Sequence, residues 1–246
     1  MSDWPILARA PIVEGLLDIQ FEPLAAERLP ELEAFQALIP EYKEKHPKVT
    51  FAGQILLGTQ GIANVGQSST IGYLFRDNDR NRVAQVRLNG FTLSFLQPYT
   101  HFAELESEAK RLWGLFQAYV HQPTITRLAL RYINRLELPL PFDDFSEYIL
   151  TYPEIAPKIP QKLYQFEMRA MLPDGDSDRV ATVTEVCEPS PLGAPNINVV
   201  LDIDVSKSVT EPFEEAQIWQ IVEALRDFKN RIFFGTVTEK LLENYK

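Results

Sequence analysis

The sequence predicts an α+β fold. Two similar halves, each running strand, helix, three strands, helix, form a mostly antiparallel sheet with helices packed on one face. Three observations carry this. Between Ile125 and Pro139, ITRLALRYINRLELP keeps a period of two. Leu128, Leu130, Tyr132, Asn134, Leu136 and Leu138 share one side; Arg127, Ala129, Arg131, Ile133, Arg135 and Glu137 share the other. That is the pattern of a long half-buried strand. Between Phe102 and Tyr119 the apolar residues recur at helical spacing instead. The order of these patterns over residues 11–122 also returns in kind, though not residue by residue, over 123–246. The expected organisation is one compact unit over 1–246 made of these two pseudo-repeats.

In chain order, residues 1–10 read as a tail. Pro11 to Phe21 alternates, with Val13, Gly15, Leu17, Ile19 and Phe21 against Ile12, Glu14, Leu16, Asp18 and Gln20, and Pro23 ends it. Leu24 to Ile39 is helical, the main helix opening at Pro30, because proline suits a first turn. Pro40 to Pro47 is a charged connection. Val49 to Ser69 is rich in Gly, Gln and Ser and reads either as an irregular strand or as an exposed loop. Strands follow at Ile71–Phe75, Val83–Leu88 and Phe91–Leu96. Asp77 to Asn81 is a turn by composition, and Asn89-Gly90 is a two-residue hairpin signal. A helix over 101–120 takes Thr100 as its N-cap.

The second half begins with the arginine-bearing strand, stopped by Pro139 and Pro141. A short helix is expected over Phe142–Leu150, then a proline-rich link. Strands follow at Tyr164–Leu172, Val180–Cys187 and Asn196–Val205. Phe213 to Lys229 is helical, and Asn230 and Arg231 mark its end. Thr236 to Glu239 fits a capping box for a last short helix.

Composition narrows the function. With 246 residues, 45% hydrophobic and 11% aromatic, the chain can bury a core. A net charge of -10 repels phosphate backbones, so no nucleic acid is expected as partner. The single cysteine, Cys187, permits no internal disulfide, which fits a reducing compartment. The N-terminus lacks a signal-peptide pattern, and no apolar run approaches the ~18 residues of a membrane span. A cytoplasmic protein with no membrane association is expected.

No catalytic residue, metal site or cofactor emerges. His46, His101 and His121 are far apart and sit by helix ends or loops. Cys187 has no base near it in sequence. No G-x-S-x-G is present, and Gly58, Gly61 and Gly66 match no phosphate-binding or dinucleotide loop. The arginine face carries the chemistry. Arg127, Arg131 and Arg135 recur every fourth residue, about 13 Å apart along a strand. They can pair with Glu14 and Asp18 of the first strand and with Asp202 and Asp204 of LDIDV. They can also form a partner or dimer surface, or cradle an anion through paired hydrogen bonds. Asn134, on the leucine face, is expected to bond to backbone as a structural polar group.

Several stretches together resemble a known family: PIVEGLLDIQFEP at 11–23, NGFTLSFLQPY at 89–99, ITRLALRYINRLELP at 125–139, LDIDV at 201–205 and LRDFKNRIFFGTVTEK at 225–240. In this order they look like a sporadically distributed, uncharacterised family of bacterial proteins of about this length. The resemblance covers nearly the whole chain. It implies one full-length unit and transfers no catalytic residue. With the acidic charge, it sets the first functional expectation: a non-enzymatic protein-interaction module, antitoxin- or defence-associated, meeting a protein partner or a second copy through its charged sheet face. The alternative is a small-molecule-binding or enzymatic domain with a pocket between sheet and helices, served by Arg131, Arg135 and Asn134.

Overall fold

The computed structural model describes residues 4–58, 61–79, 81–121, 123–161, 163–175, 177–191, 193–209 and 215–246, with side chains outside 51–67. Among them, nine strands form one sheet. They are β1 Ile12–Phe21, β2 Glu44–Gly58, β3 Gly61–Arg76, β4 Arg82–Arg87, β5 Gly90–Leu96, β6 Ile125–Pro139, β7 Phe166–Pro173, β8 Arg179–Cys187 and β9 Asn196–Ser208. The α-helices are α1 Leu29–Ala34, α2 Phe102–Tyr119, α3 Glu215–Thr236 and α4 Glu239–Leu242. The strand order is β2-β3-β4-β5-β1-β6-β9-β8-β7, antiparallel at every step.

The two alternating stretches of the sequence meet at the centre. β1 pairs with β6, Leu17 opposite Leu130 and Ile19 opposite Leu128. All four side chains are buried. From β1 the sheet runs outward through β5, β4 and β3; from β6 it runs through β9, β8 and β7. The predicted α+β architecture of two halves is therefore present, with two differences. The helix expected over Phe142–Leu150 is only a 3₁₀ turn, Phe145–Glu147, capped by Asp144, whose side chain accepts from the Ser146 N–H at 2.7 Å. The first half also carries an extra strand, β2.

β2 comes from the ambiguous stretch. The backbone from Glu44 to Arg76 forms a hairpin, its residues 59 and 60 lying outside those described. The strand begins inside the segment expected as a charged connection. Pro47 is tolerated because β2 is outermost, where a missing N–H breaks no second ladder. β4 covers β3 only from Gly72 to Arg76, so the far part of the hairpin pairs with itself.

The helices share one face. α2 buries Leu105, Ala109, Leu112, Trp113 and Phe116. The rings of Trp113 and Phe116 lie 5.7–6.3 Å from those of Phe21 and Phe91. Phe35, just after α1, meets Phe116 edge-on at 5.4 Å. α3 packs across β6 and β9.

Four element ends differ from expectation. His101, not Thr100, is the N-cap position of α2, and the Thr100 hydroxyl donates to Glu104 instead. α3 continues through Asn230 and Arg231 to Thr236, because Phe233 extends its buried stripe and packing outweighs local propensity; its expected start at 213 lies outside the described residues. Thr238, not Thr236, caps α4, accepting from the Leu241 N–H at 3.3 Å. The β4–β5 turn is Leu88-Asn89, with Gly90 already paired to Arg87. A Cβ on Gly90 would collide with the Arg87 guanidinium, so this glycine clears a side chain.

Replacing Leu130 by alanine is expected to lower stability by about 3 kcal/mol, seen as an earlier urea midpoint at unchanged slope. Met171→Ala, on exposed β7, should move it by less than about 0.5 kcal/mol.

Candidate functional site

Each sheet face carries polar chemistry, and the two faces treat it oppositely. On the open face every arginine singled out in the sequence has a carboxylate. Arg131 grips Asp202 through two bonds of 2.8 and 2.5 Å. Arg127 lies 3.4 Å from Asp204 and 3.7 Å from Asp18. Arg135 meets Glu188 at 2.7 Å. Asp18 is buried, accepting from Arg87 at 2.6 Å, from the Thr92 hydroxyl at 2.5 Å and from Gln20 at 3.1 Å. Burial holds the Asp204 carboxyl above the usual range against the pull of Arg127 and Arg131. The Asp202 bond holds the Arg131 guanidinium still more firmly charged. Glu14 contributes field at Arg131 without bonding to it.

Beneath the helices the polar groups are fewer, deeper and less satisfied. Tyr132, at the middle of β6, is 2% exposed. Its hydroxyl shares a 2.6 Å hydrogen bond with that of Tyr99, the rings edge-on at 5.5 Å. Gly15, opposite Tyr132 on β1, admits the pair: a Cβ there would stand 2.9 Å from both rings. α3 lowers Lys229 onto this pair, its ammonium 4.1 Å above the Tyr132 ring centroid. Lys229 is 9% exposed and has no ion pair or hydrogen bond among the described residues. Asn134 donates to the carbonyls of Leu201, at 3.0 Å, and Tyr132, at 3.4 Å. Its amide oxygen accepts nothing among the described residues, and the buried side-chain amide of Asn230 makes no bond there.

Lys229, Asn134 and Asn230 line one cavity of about 130 Å³, with Tyr99, Tyr132, His101 and Arg226. Its outer wall is the segment expected to be a tail. Trp4 stacks on Phe234, centroids 5.3 Å apart and rings 3° from parallel, and its indole N–H donates to Asp227 at 3.0 Å. The Arg9 N–H donates to the Tyr245 carbonyl at 3.0 Å. The lining holds a lysine, an arginine and a histidine and no carboxylate, in a chain of net charge -10. Burial, reinforced by Arg226, holds the Lys229 amine down to about 7. Burial pushes the Tyr99 phenol up to about 12 and that of Tyr132 well above its usual value.

Of the sequence candidates, Asn134 reaches this cavity, as does Asn230, a weaker candidate beside its reading as a helix end. Arg131 and Arg135 do not line it, because period two turns them to the opposite face. The sequence places Lys229 as the last residue of its helix and Asn230 with Arg231 at the helix end. Their signal was positional: Lys229 follows Val222 by seven residues and Leu225 by four, the spacing of the buried stripe. Glu185 carries the same signal with period two among Ala181, Val183 and Cys187. It is 1% exposed, neither oxygen has a partner, and burial pushes its carboxyl up to about 7. No set of three His, Cys, Asp or Glu among the described residues is arranged to hold a metal ion, and no helix among them is long and apolar enough to cross a membrane. The chain matches no family model and no curated protein.

The two buried groups tilt stability in opposite directions. Between about 4.5 and about 7 the folded state keeps a proton on Glu185 that the unfolded chain has released, so this residue's contribution falls as pH rises through that window. Between about 7 and 10.5 the unfolded chain holds a proton on Lys229 that the folded state lacks, so that contribution rises with pH. Glu185→Gln should therefore stabilise by about 3 kcal/mol above neutrality and by little near pH ~5. Lys229→Met should stabilise most at and below neutrality, the gain shrinking toward pH ~10. Chemical denaturation across pH reads both trends.

Proposed function

We propose that the protein binds a small molecule carrying an anionic group, of the carboxylate class, in the cavity between α3 and the β1–β6 centre. The observation that carries the reading is three buried polar side chains, Lys229, Asn134 and Asn230, with unused hydrogen-bonding capacity at one cavity. Buried polar groups in folded proteins almost always have partners. Here a ligand oxygen accepts from the Lys229 amine and the Asn230 side-chain N–H, while the Asn134 amide oxygen, itself an acceptor, takes a donor group of the ligand. The sign of the ligand follows from Lys229, the lining cation with no carboxylate beside it among the described residues, since His101 faces Glu104 at 3.2 Å and Arg226 faces Glu223 at 3.3 Å. Its size follows from the volume, since a cavity of about 150 Å³ holds one benzene-sized molecule. Few atoms limit the affinity, so binding in the micromolar to millimolar range is expected.

Acetate, pyruvate and phosphate should raise the melting temperature of the wild type, where neutral glycerol does not. Lys229→Met should lose the response. Because the bound anion favours the ammonium form of Lys229, binding by calorimetry should be tighter below neutrality than above it. Equal responses from the wild type and Lys229→Met would end this reading.

A second reading, the antitoxin- or defence-associated interaction module, has support in the open face. Arg131 and Arg135 keep 41% and 49% of their side-chain surface exposed despite their pairs. The pairs themselves weaken it, since the charges already have partners within the chain. Native mass spectrometry of untagged protein from its own host separates the two. A stoichiometric second protein, lost on Arg131→Glu and Arg135→Glu, favours the interaction module.

A further inference from the structure

We propose that Lys229 is an imine-forming amine, its ε-nitrogen attacking the carbonyl carbon of a small α-oxo acid held in the cavity. The inference rests on the cavity being a carboxylate site and adds the class of ligand and the bond it makes.

Burial and a neighbouring arginine lower the pKa of two of the described lysines: Lys48, whose ammonium donates to Gln85 at 2.7 Å beside Arg87, and Lys229, which of the two is the one that lines the cavity. Lys45, Lys110, Lys207, Lys240 and Lys246 each face a carboxylate, which holds the ammonium form. Lys229 faces an aromatic ring and two amides. Three residues earlier on the same helix, Arg226 lines the same cavity, its guanidinium 4.6 Å over the Phe102 ring. Lysines become nucleophiles at neutral pH when buried in an apolar pocket or set beside another cation. Lys229 meets both conditions, and the free amine is well populated near pH 7. Arg226, with one nitrogen 3.3 Å from Glu223, has its remaining N–H groups to offer the carboxylate.

The proton traffic has donors in place. The amine lone pair forms the C–N bond while the carbonyl π pair moves to oxygen. That oxygen gains a proton as nitrogen loses one, giving a carbinolamine. Its hydroxyl then takes a second proton and leaves as water, the nitrogen lone pair closes the C=N bond, and nitrogen gives up its remaining proton. The net change is amine plus carbonyl to imine plus water, with no oxidant or reductant. The Tyr99–Tyr132 pair serves as the proton carrier, since burial keeps both phenols protonated. The Asn134 amide oxygen and the Asn230 amide orient the intermediate. The titratable groups bordering the site are Tyr99 and His101 from the approach to α2, Tyr132 from β6 and Arg226 from α3, and behind them stand Glu104 of α2, against His101, Glu223 of α3, against Arg226, and Asp227 of α3, bonded to Trp4.

The test uses the full chain with pyruvate and sodium cyanoborohydride, read by intact mass and peptide mapping, beside melting curves with pyruvate and acetate without reductant. The expected result is one reduced pyruvyl group on Lys229. Labelling should be at least about tenfold slower in Lys229→Arg. It should rise with pH around a midpoint near 7 in the wild type. Arg226→Gln, which removes the neighbouring charge, should move that midpoint upward. Mapping on the wild type keeps the test decisive if a Lys229 variant folds poorly. A pyruvate-dependent rise in melting temperature with no mass change, or label spread over the surface lysines, overturns the imine and leaves the carboxylate site standing. No response to pyruvate or acetate, with no label, overturns both.

Discussion

β1 and β6 lie side by side at the centre of the sheet, Gly15 opposite Tyr132 and Leu17 opposite Leu130, and that register sorts the chemistry of the whole molecule. Side chains alternate between faces, so a slip of one residue would exchange them. Arg127, Arg131 and Arg135 would be driven under the helices, and the leucines of β6 would face water. The register is held by apolar burial on the helix face and by the carboxylates on the open face. Asp18 belongs to both arrangements. It sits on β1 among buried neighbours yet bonds to Arg87 and Thr92 on the open face.

The two faces put charge to different uses. On the open face the pairs of Arg131 and Arg135 are half-exposed and contribute only ~0–1 kcal/mol each, whereas the Asp18–Arg87 pair is mostly buried. Their value lies in alignment, since a wrong register sets like charges opposite each other. Under the helices, Lys229 and Glu185 reverse that logic: each is buried, neither has a counter-charge among the described residues, and both lower stability at the pH where they are ionised. Lys229 opens on a cavity with other polar groups, and so belongs to a site. Glu185 lies in register with Asn134 across Leu201, two strands away, and does not line that cavity.

The architecture could be read from the chain because its signals are local. Alternation over Ile125–Pro139 and helical spacing over Phe102–Tyr119 each belong to one element, and tertiary packing agreed with them. The reading faltered where packing overrode local preference. Asn230 and Arg231 looked like a helix end because polar residues usually mark one, yet Phe233 carries the stripe onward. The β2–β3 hairpin was obscured by glycine, glutamine and serine, which pack poorly on a pleated surface. The cavity was beyond local pattern altogether. Its walls come from residues 4–12, 99–102, 132–134 and 226–234, and only the closed sheet brings them together. What the pattern did contain, and polarity disguised, was Lys229 falling in step with Val222 and Leu225.

The central pairing also bears on how the molecule assembles. The β2–β3, β4–β5 and β7–β8 neighbours are hairpins a few residues apart in sequence, whereas β1 and β6 are separated by more than a hundred. Closing the longer loop carries the greater entropic cost, so the outer hairpins have the shorter route to structure and the centre the longest. Until it closes, each half presents a raw strand edge. Those edges are complementary, and the β1 of one chain offers the β6 of another the same ladder it offers its own. The β1–β6 seam is thus the place where the two halves of the sheet are joined.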